Sequence, residues 1–158
     1  MMPRGVDSYG VDFGIDAHLP NGVRGFASAT IQQTVQRNAS SPLLALSGDP
    51  IENSPNVYGH AALSVPLTER AFLAGQVSFI GARLARDRTT NLVTVPVDPH
   101  LFTSLILTLP RVWRELDVLV GIYNLIDQRW SDPAGIELPQ PEVTQDGRTF
   151  LVRLSYGL

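Results

Sequence analysis

The chain of 158 residues contains no cysteine and no lysine. The first absence excludes a disulfide framework and any thiolate chemistry. All twelve cations are therefore arginines, spread along a chain of net charge −3 and pI near 5.5. That leaves no basic footprint, and no nucleic-acid partner is expected. Charged residues make up 17% of the chain, against roughly 25% in an ordinary soluble domain. No apolar run reaches the roughly eighteen residues of a membrane-spanning helix. The opening MMPRGVDSYG has one arginine but lacks the apolar stretch of about seven to fifteen residues that a signal peptide needs. Taken alone, these last two absences point to a soluble cytoplasmic chain. The pattern along the chain points elsewhere.

What is present is alternation with a period of two, the signature of half-covered strands. In YGVDFGIDAHL the apolar positions are Tyr9, Val11, Phe13, Ile15, Ala17 and Leu19, with Gly10, Asp12, Gly14, Asp16 and His18 between them. The next run places Val23, Gly25, Ala27, Ala29, Ile31 and Val35 opposite Arg24, Phe26, Ser28, Thr30, Gln32, Thr34 and Gln36. Between the two lie Pro20, Asn21 and Gly22, and Asn-Gly is the strongest short hairpin signal. Five further runs follow the rule, over Val57 to Leu67, Leu73 to Phe79, Leu101 to Leu109, Leu116 to Tyr123 and Phe150 to Leu158. The expectation is seven antiparallel strands of roughly 9–13 residues, longer than the usual five or six.

The connections alternate as well. PNG, TERA and RVWRE are short; Arg37 to Ser54, Asp87 to His100 and Asp127 to Arg148 are long and rich in Gly, Pro, Asp, Asn and Ser. Strict alternation puts the tight turns at one end of the sheet and the long loops at the other. Outer-membrane barrels sort their loops this way, with apolar side chains toward lipid and polar ones toward the lumen. A tilted strand of roughly 9–11 residues crosses the hydrocarbon layer. Trp113 in a short turn, with Tyr9 and Trp130 near the long-loop end, fit interfacial girdles.

The stretch YNLIDQRWSDPAG, Tyr123 to Gly135, breaks an apolar strand with an asparagine. A buried, unpaired Asn costs roughly 1–3 kcal/mol. Placed beyond the hydrocarbon, Asn124 is expected to cap strand-end backbone groups instead of being buried.

Catalytic and metal chemistry find little support. His18, His60 and His100 show no ligand pair at helical or hairpin spacing. Asp12 and Asp16 share a face but lie about 13 Å apart along one strand, too far to act as paired carboxylates. No GxSxG elbow occurs, and no glycine-rich turn leads into a helix to hold phosphate. The chain is expected to be no enzyme, with no cofactor and no metal. Arg83, Arg86 and Arg88 cluster where the fourth strand enters its external loop. They are candidate contacts for an anionic ligand, held bidentately, or for lipid headgroups, the solvated loop base being the plainer reading.

YNLIDQRWSDPAG followed by QDGRTFLVRLSYGL resembles the closing hairpin of TonB-dependent outer-membrane receptors. There an NLFD-type motif, an aromatic-x-D-P step, a loop, and a GR step into an aromatic, hydrophobic final strand recur. Asn124, Leu125, Asp127, Asp132, Pro133, Gly147, Arg148 and Phe150 carry the likeness. SPNVYGHAALSVPL and LAGQVSFIGARLARD resemble preceding strands of the family, so that the likeness runs from about Gly10 to Leu158. The resemblance implies an all-β, antiparallel, up-and-down transmembrane barrel segment of about seven strands, part of a barrel of about 22. On this reading residues 1–158 are the C-terminal part of the barrel, with signal peptide, TonB box and plug domain absent. The implied activity is energised uptake of a scarce small molecule such as a ferric siderophore, in the outer membrane of a Gram-negative bacterium. The implied partners are outer-membrane lipid and, through the missing plug, the TonB system. Leu158 stands where the family usually ends in Phe or Tyr. An open seven-stranded sheet leaves edges unsatisfied in lipid at several kcal/mol per orphan group, so the isolated chain is expected not to insert as a closed monomeric barrel. The alternatives are a small soluble lipocalin-like barrel, whose apolar faces turn inward around an apolar ligand, and an inactive remnant of a truncated receptor gene.

Overall fold

The computed structural model describes residues 5–37, 49–87, 93–135 and 137–157. The strands are β1 (Gly5–His18), β2 (Arg24–Arg37), β3 (Asp49–Pro50), β4 (Val57–Thr68), β5 (Ala71–Ile80), β6 (Arg83–Arg86), β7 (Val93–Val97), β8 (His100–Trp113), β9 (Leu116–Tyr123), β10 (Ser131–Pro133), β11 (Glu142–Thr144) and β12 (Thr149–Tyr156). The seven long ones form one antiparallel sheet in the order β1-β2-β4-β5-β8-β9-β12, with β3 added beside β2. Each expected strand is present, and every long strand neighbours the next in sequence.

The β1–β2 turn shows how local chemistry sets the register. Gly22 takes φ 83°, a conformation that costs glycine nothing and other residues roughly 1 kcal/mol or more. The Val23 N–H donates to the Asn21 side chain and Leu19 N–H to the Val23 carbonyl. From there Ala17 pairs with Gly25, Ile15 with Ala27 and Phe13 with Ala29. At the same end, β4 and β5 are joined across Glu69 and Arg70, and β8 and β9 across Arg114 and Glu115. The last turn is tighter than the expected RVWRE connection because β8 continues to Trp113 through an irregularity after Leu109, with Arg111 and Arg114 both at positive φ.

The two faces of the sheet differ in chemistry. Leu73, Leu107, Val120 and Val152 form one lateral row, and Gly75, Leu105, Ile122 and Phe150 the next. On the other face Ser28, His60, Ser78 and Phe102 form a row, followed by Gln76, Ser104, Tyr123 and Thr149. The apolar face is uncovered: Ile15, Phe150 and Val152 are 67%, 68% and 66% exposed. Among the described residues the buried hydrophobic side chains are Ala85, Val97 and Ala134, none of which lies in the large sheet, whereas His100, Ser104 and Asn124 are buried. This inverts the arrangement of a water-soluble domain. An apolar surface of this extent marks contact with another apolar phase.

The lipocalin-like alternative is corrected on two counts. Its apolar faces would turn inward, and here they are exposed; its sheet would close, and here β1 and β12 are the two ends of the strand order. The long connections also hold more structure than loops. β6 pairs with β7 and β10 with β11 as separate two-stranded hairpins. The alternation in VTVPV was the available signal for β7. Pro96 and Pro133, which cannot donate to a ladder, restrict both hairpins to short pairings.

Candidate functional site

Asn124 ends β9 at the long-loop end, with φ 52°. Its amide Nδ2 donates to the carbonyls of Gln128 (2.8 Å) and Asp146 (3.5 Å), and its Oδ1 accepts from the Gln128 N–H (3.0 Å). The expected capping is therefore present. The expectation that Asn124 escapes burial is corrected: at 1% exposure it is the largest fully buried side chain described. Burial is tolerated because both ends of the amide are paired.

The other motif residues assemble around it. Asp127, also at positive φ, accepts the Arg148 N–H on Oδ1 at 2.8 Å. A Cβ on Gly147 would lie 2.8 Å from that same Oδ1, which explains a glycine there. The Leu125 N–H donates to the Thr103 carbonyl, tying the turn to β8. Phe150 continues the exposed apolar row. The motif thus fastens β9, β12 and their connection into one corner. Replacing Asn124 by Ala is expected to cost about 2–4 kcal/mol, from unsatisfied backbone groups plus positive-φ strain, and Asn124→Gly about 1 kcal/mol less. Urea midpoints of the two variants, compared with the parent chain, check the order.

The candidate site lies beside this corner, where the long connections meet over the polar face. Its hub is Arg83 of β6, 6% exposed. Nη1 donates to Asn53 Oδ1 at 2.9 Å, from the segment between β3 and β4. Nη2 donates to Asp132 Oδ1 of β10 at 2.7 Å and lies 3.5 Å from His100 Nδ1 at the start of β8. His100 stacks on Trp130 with ring centroids 5.2 Å apart, and Phe102 meets Trp130 edge-on. One guanidinium therefore joins segments from all three long connections. Nearby, Arg86 pairs with Glu52 at 3.2 Å.

These contacts revise the expectations for the arginines. Arg83 is neither a lipid-headgroup contact nor a solvated loop base, since it is buried and ion-paired inside the loop cluster. Arg86 is bound to Glu52 instead of projecting alone. Arg88 lies outside the described residues, as does Leu158. Tyr9 and Trp113, the expected girdle residues, are 63% and 62% exposed. Trp130 is not on the exposed apolar face: it packs on His100 and Phe102, over the polar face.

Below Arg83 the polar face offers a cavity of about 570 Å3, lined by Ser28, Asn53, Tyr58, His60, Ser78 and Arg83 among others. His60 Nδ1 lies 2.6 Å from Ser78 Oγ, and Phe26 stacks on the His60 ring at 5.1 Å. Farther along the same face Asp12 accepts from the Thr30 hydroxyl at 2.6 Å, the hydrogen bonding expected for it on the polar face. The three histidines sit apart: His18 ends β1, His60 pairs with Ser78 and His100 with Arg83. Sequence reading missed His60, Ser78, Asn53 and His100 as site residues. The period-two pattern marked His60 and Ser78 as polar-face positions, the only signal available for them.

No known protein family matches the chain. No curated protein matches it in sequence. In structure it is similar to the ferric-catecholate import receptor Fiu of E. coli K12 in its closed form, with a TM-score of 0.71 and 17% identity. The likeness covers 94% of this chain and 20% of that receptor. The chain therefore spans one fifth of the receptor's length and shares the fold of that part: an antiparallel sheet of a receptor barrel.

Proposed function

We propose that the chain is part of the barrel wall of a TonB-dependent outer-membrane receptor that takes up a scarce small molecule, a ferric siderophore being the leading class. The observation that carries this reading is the uncovered apolar face opposite a polar face whose long-loop end lies under the Arg83 loop cluster, in a chain that matches a receptor barrel over 94% of its length. In that setting the apolar rows face lipid. The polar rows face the lumen, and the loop cluster centred on Arg83 stands over the external mouth. The tight turns, with Trp113 exposed beside the Arg114 guanidinium, lie at the periplasmic interface. TonB would act through a plug domain packed against the polar rows.

In cells whose receptor carries these residues, collapse of the proton-motive force is expected to abolish uptake of the ferric siderophore, measured with radioactive iron. Uptake that persists would assign the barrel to passive diffusion instead.

A further inference from the structure

The loop cluster holds a histidine in a place where only its neutral form fits. His100 is 5% exposed, its ring is stacked on Trp130, and its Nδ1 lies 3.5 Å from Arg83 Nη2. A guanidinium donates hydrogen bonds and cannot accept them. The contact therefore needs a lone pair on Nδ1, which leaves the proton of a neutral imidazole on Nε2. A protonated His100 would set N–H against N–H at the same place.

The surrounding charges do not accommodate a second cation. Asp132 of β10 faces the pair, but its Oδ1 already holds Arg83 at 2.7 Å, and one carboxylate cannot balance two cations. On β5 the residue paired with His100 is Ile80, which carries no charge. Asp98, Arg129 and Glu142 line a cavity of about 580 Å3 that Trp130 borders. On the proposed orientation His100, the first of fourteen residues in β8, stands beyond the roughly 9–11 that cross the hydrocarbon. Burial, and then the Arg83 guanidinium, hold its pKa below the ordinary 6.5, with Asp132 acting in the opposite sense.

We propose that His100 is a pH-sensitive latch on the loop cluster, closed while the imidazole is neutral and released by its protonation. Below about pH 6.5 the open cluster takes up a proton that the closed cluster resists, so closure is strongest above that pH and weakens as the pH falls. One proton limits the change to about tenfold in the opening equilibrium per pH unit. Release uncovers the long-loop end of the polar face and the cavity below Arg83. That this admits a ligand rests on the uptake reading; the latch itself does not.

Hydrogen exchange of the full chain in detergent micelles, corrected for the intrinsic pH dependence of exchange, measures the opening. The reporters are the Asn53 N–H, which donates to the Leu84 carbonyl, and the Gln145 N–H, which donates to the Trp130 carbonyl. Between pH 7.5 and 5.5, above the ordinary carboxylate range, their protection is expected to fall about threefold to tenfold. In His100→Gln, which keeps an acceptor but does not titrate, it is expected to change by less than about twofold. In the parent chain the His100 Cε1–H resonance is expected to titrate with a midpoint below 6.5. Protection that does not fall, a fall that survives in His100→Gln, or a midpoint at or above 6.5 would overturn the proposal. The midpoint is read in the parent chain and so decides the matter even where the variant fails to fold. Exchange needs no energised membrane, so persistence of uptake without the proton-motive force would sink the transport reading and leave this result standing.

Discussion

Asp132→Ala is expected to destabilise the loop cluster around Arg83 by about 3–5 kcal/mol, because it leaves the Arg83 guanidinium buried without its counter-charge. The two partners are unequally placed: the side chain of Arg83 is 5% exposed and that of Asp132 36%. Deleting the aspartate strands a charge that cannot reach water. Deleting the arginine strands one that can turn outward. Arg83→Met is therefore expected to cost about half as much, and Arg83→Met/Asp132→Leu less than Asp132→Ala alone, since paired removal of a buried ion pair is often near neutral. Limited proteolysis resolves the order. In Asp132→Ala, cleavage is expected to accelerate in all three long connections, because Asn53, Arg83, His100 and Asp132 link them through one group. Acceleration confined to the β10–β11 hairpin would show that Arg83 does not couple the loops.

The second large effect concerns the faces of the sheet. Leu107 and Thr108 are adjacent in β8 and point to opposite sides; Leu107 sits in the row with Leu73 and Val120, and Thr108 pairs with Phe72 and Leu119. On the proposed orientation, in which the apolar rows face lipid, Leu107→Arg is expected to cost about 2–4 kcal/mol and to lower the membrane-integrated fraction roughly thirtyfold or more. Thr108→Arg, turned toward the lumen, is expected to leave it within about twofold. Urea-washed outer-membrane fractions, quantified by immunoblot, provide the measurement. Equal loss in both variants, or greater loss for Thr108→Arg, would contradict the orientation.

The corner at Asn124 shows where sequence reading and structure part. An asparagine, an aspartate and a glycine at a strand end announce a turn with positive φ, and the structure places Asn124 and Asp127 there. That Asn124 is wholly buried could not be read locally, because its burial comes from the connection back to β12, which brings the Asp146 carbonyl within 3.5 Å. The hairpins β6–β7 and β10–β11 were largely hidden too, the alternation in VTVPV aside. Each has only three to five residues per strand, too short for a period-two pattern to stand out from a polar loop.

By itself the sequence determined the seven strands, their antiparallel order, the sorting of short turns from long loops and the side of each strand that is apolar. All of these are properties of neighbours in the chain: alternation with a period of two, and turn residues at fixed offsets. Only the tertiary structure decided what the arginines do. Arg83 meets Asn53 across 30 residues, His100 across 17 and Asp132 across 49, and nothing in the local pattern ties a cation to partners at such distances. The register of the sheet carries the long connections to the same end, and burial there makes the pairing of charges obligatory. Arg83, which by its sequence position reads as part of a solvated loop base, thus becomes the interior of the only region whose apolar side chains are buried among the described residues.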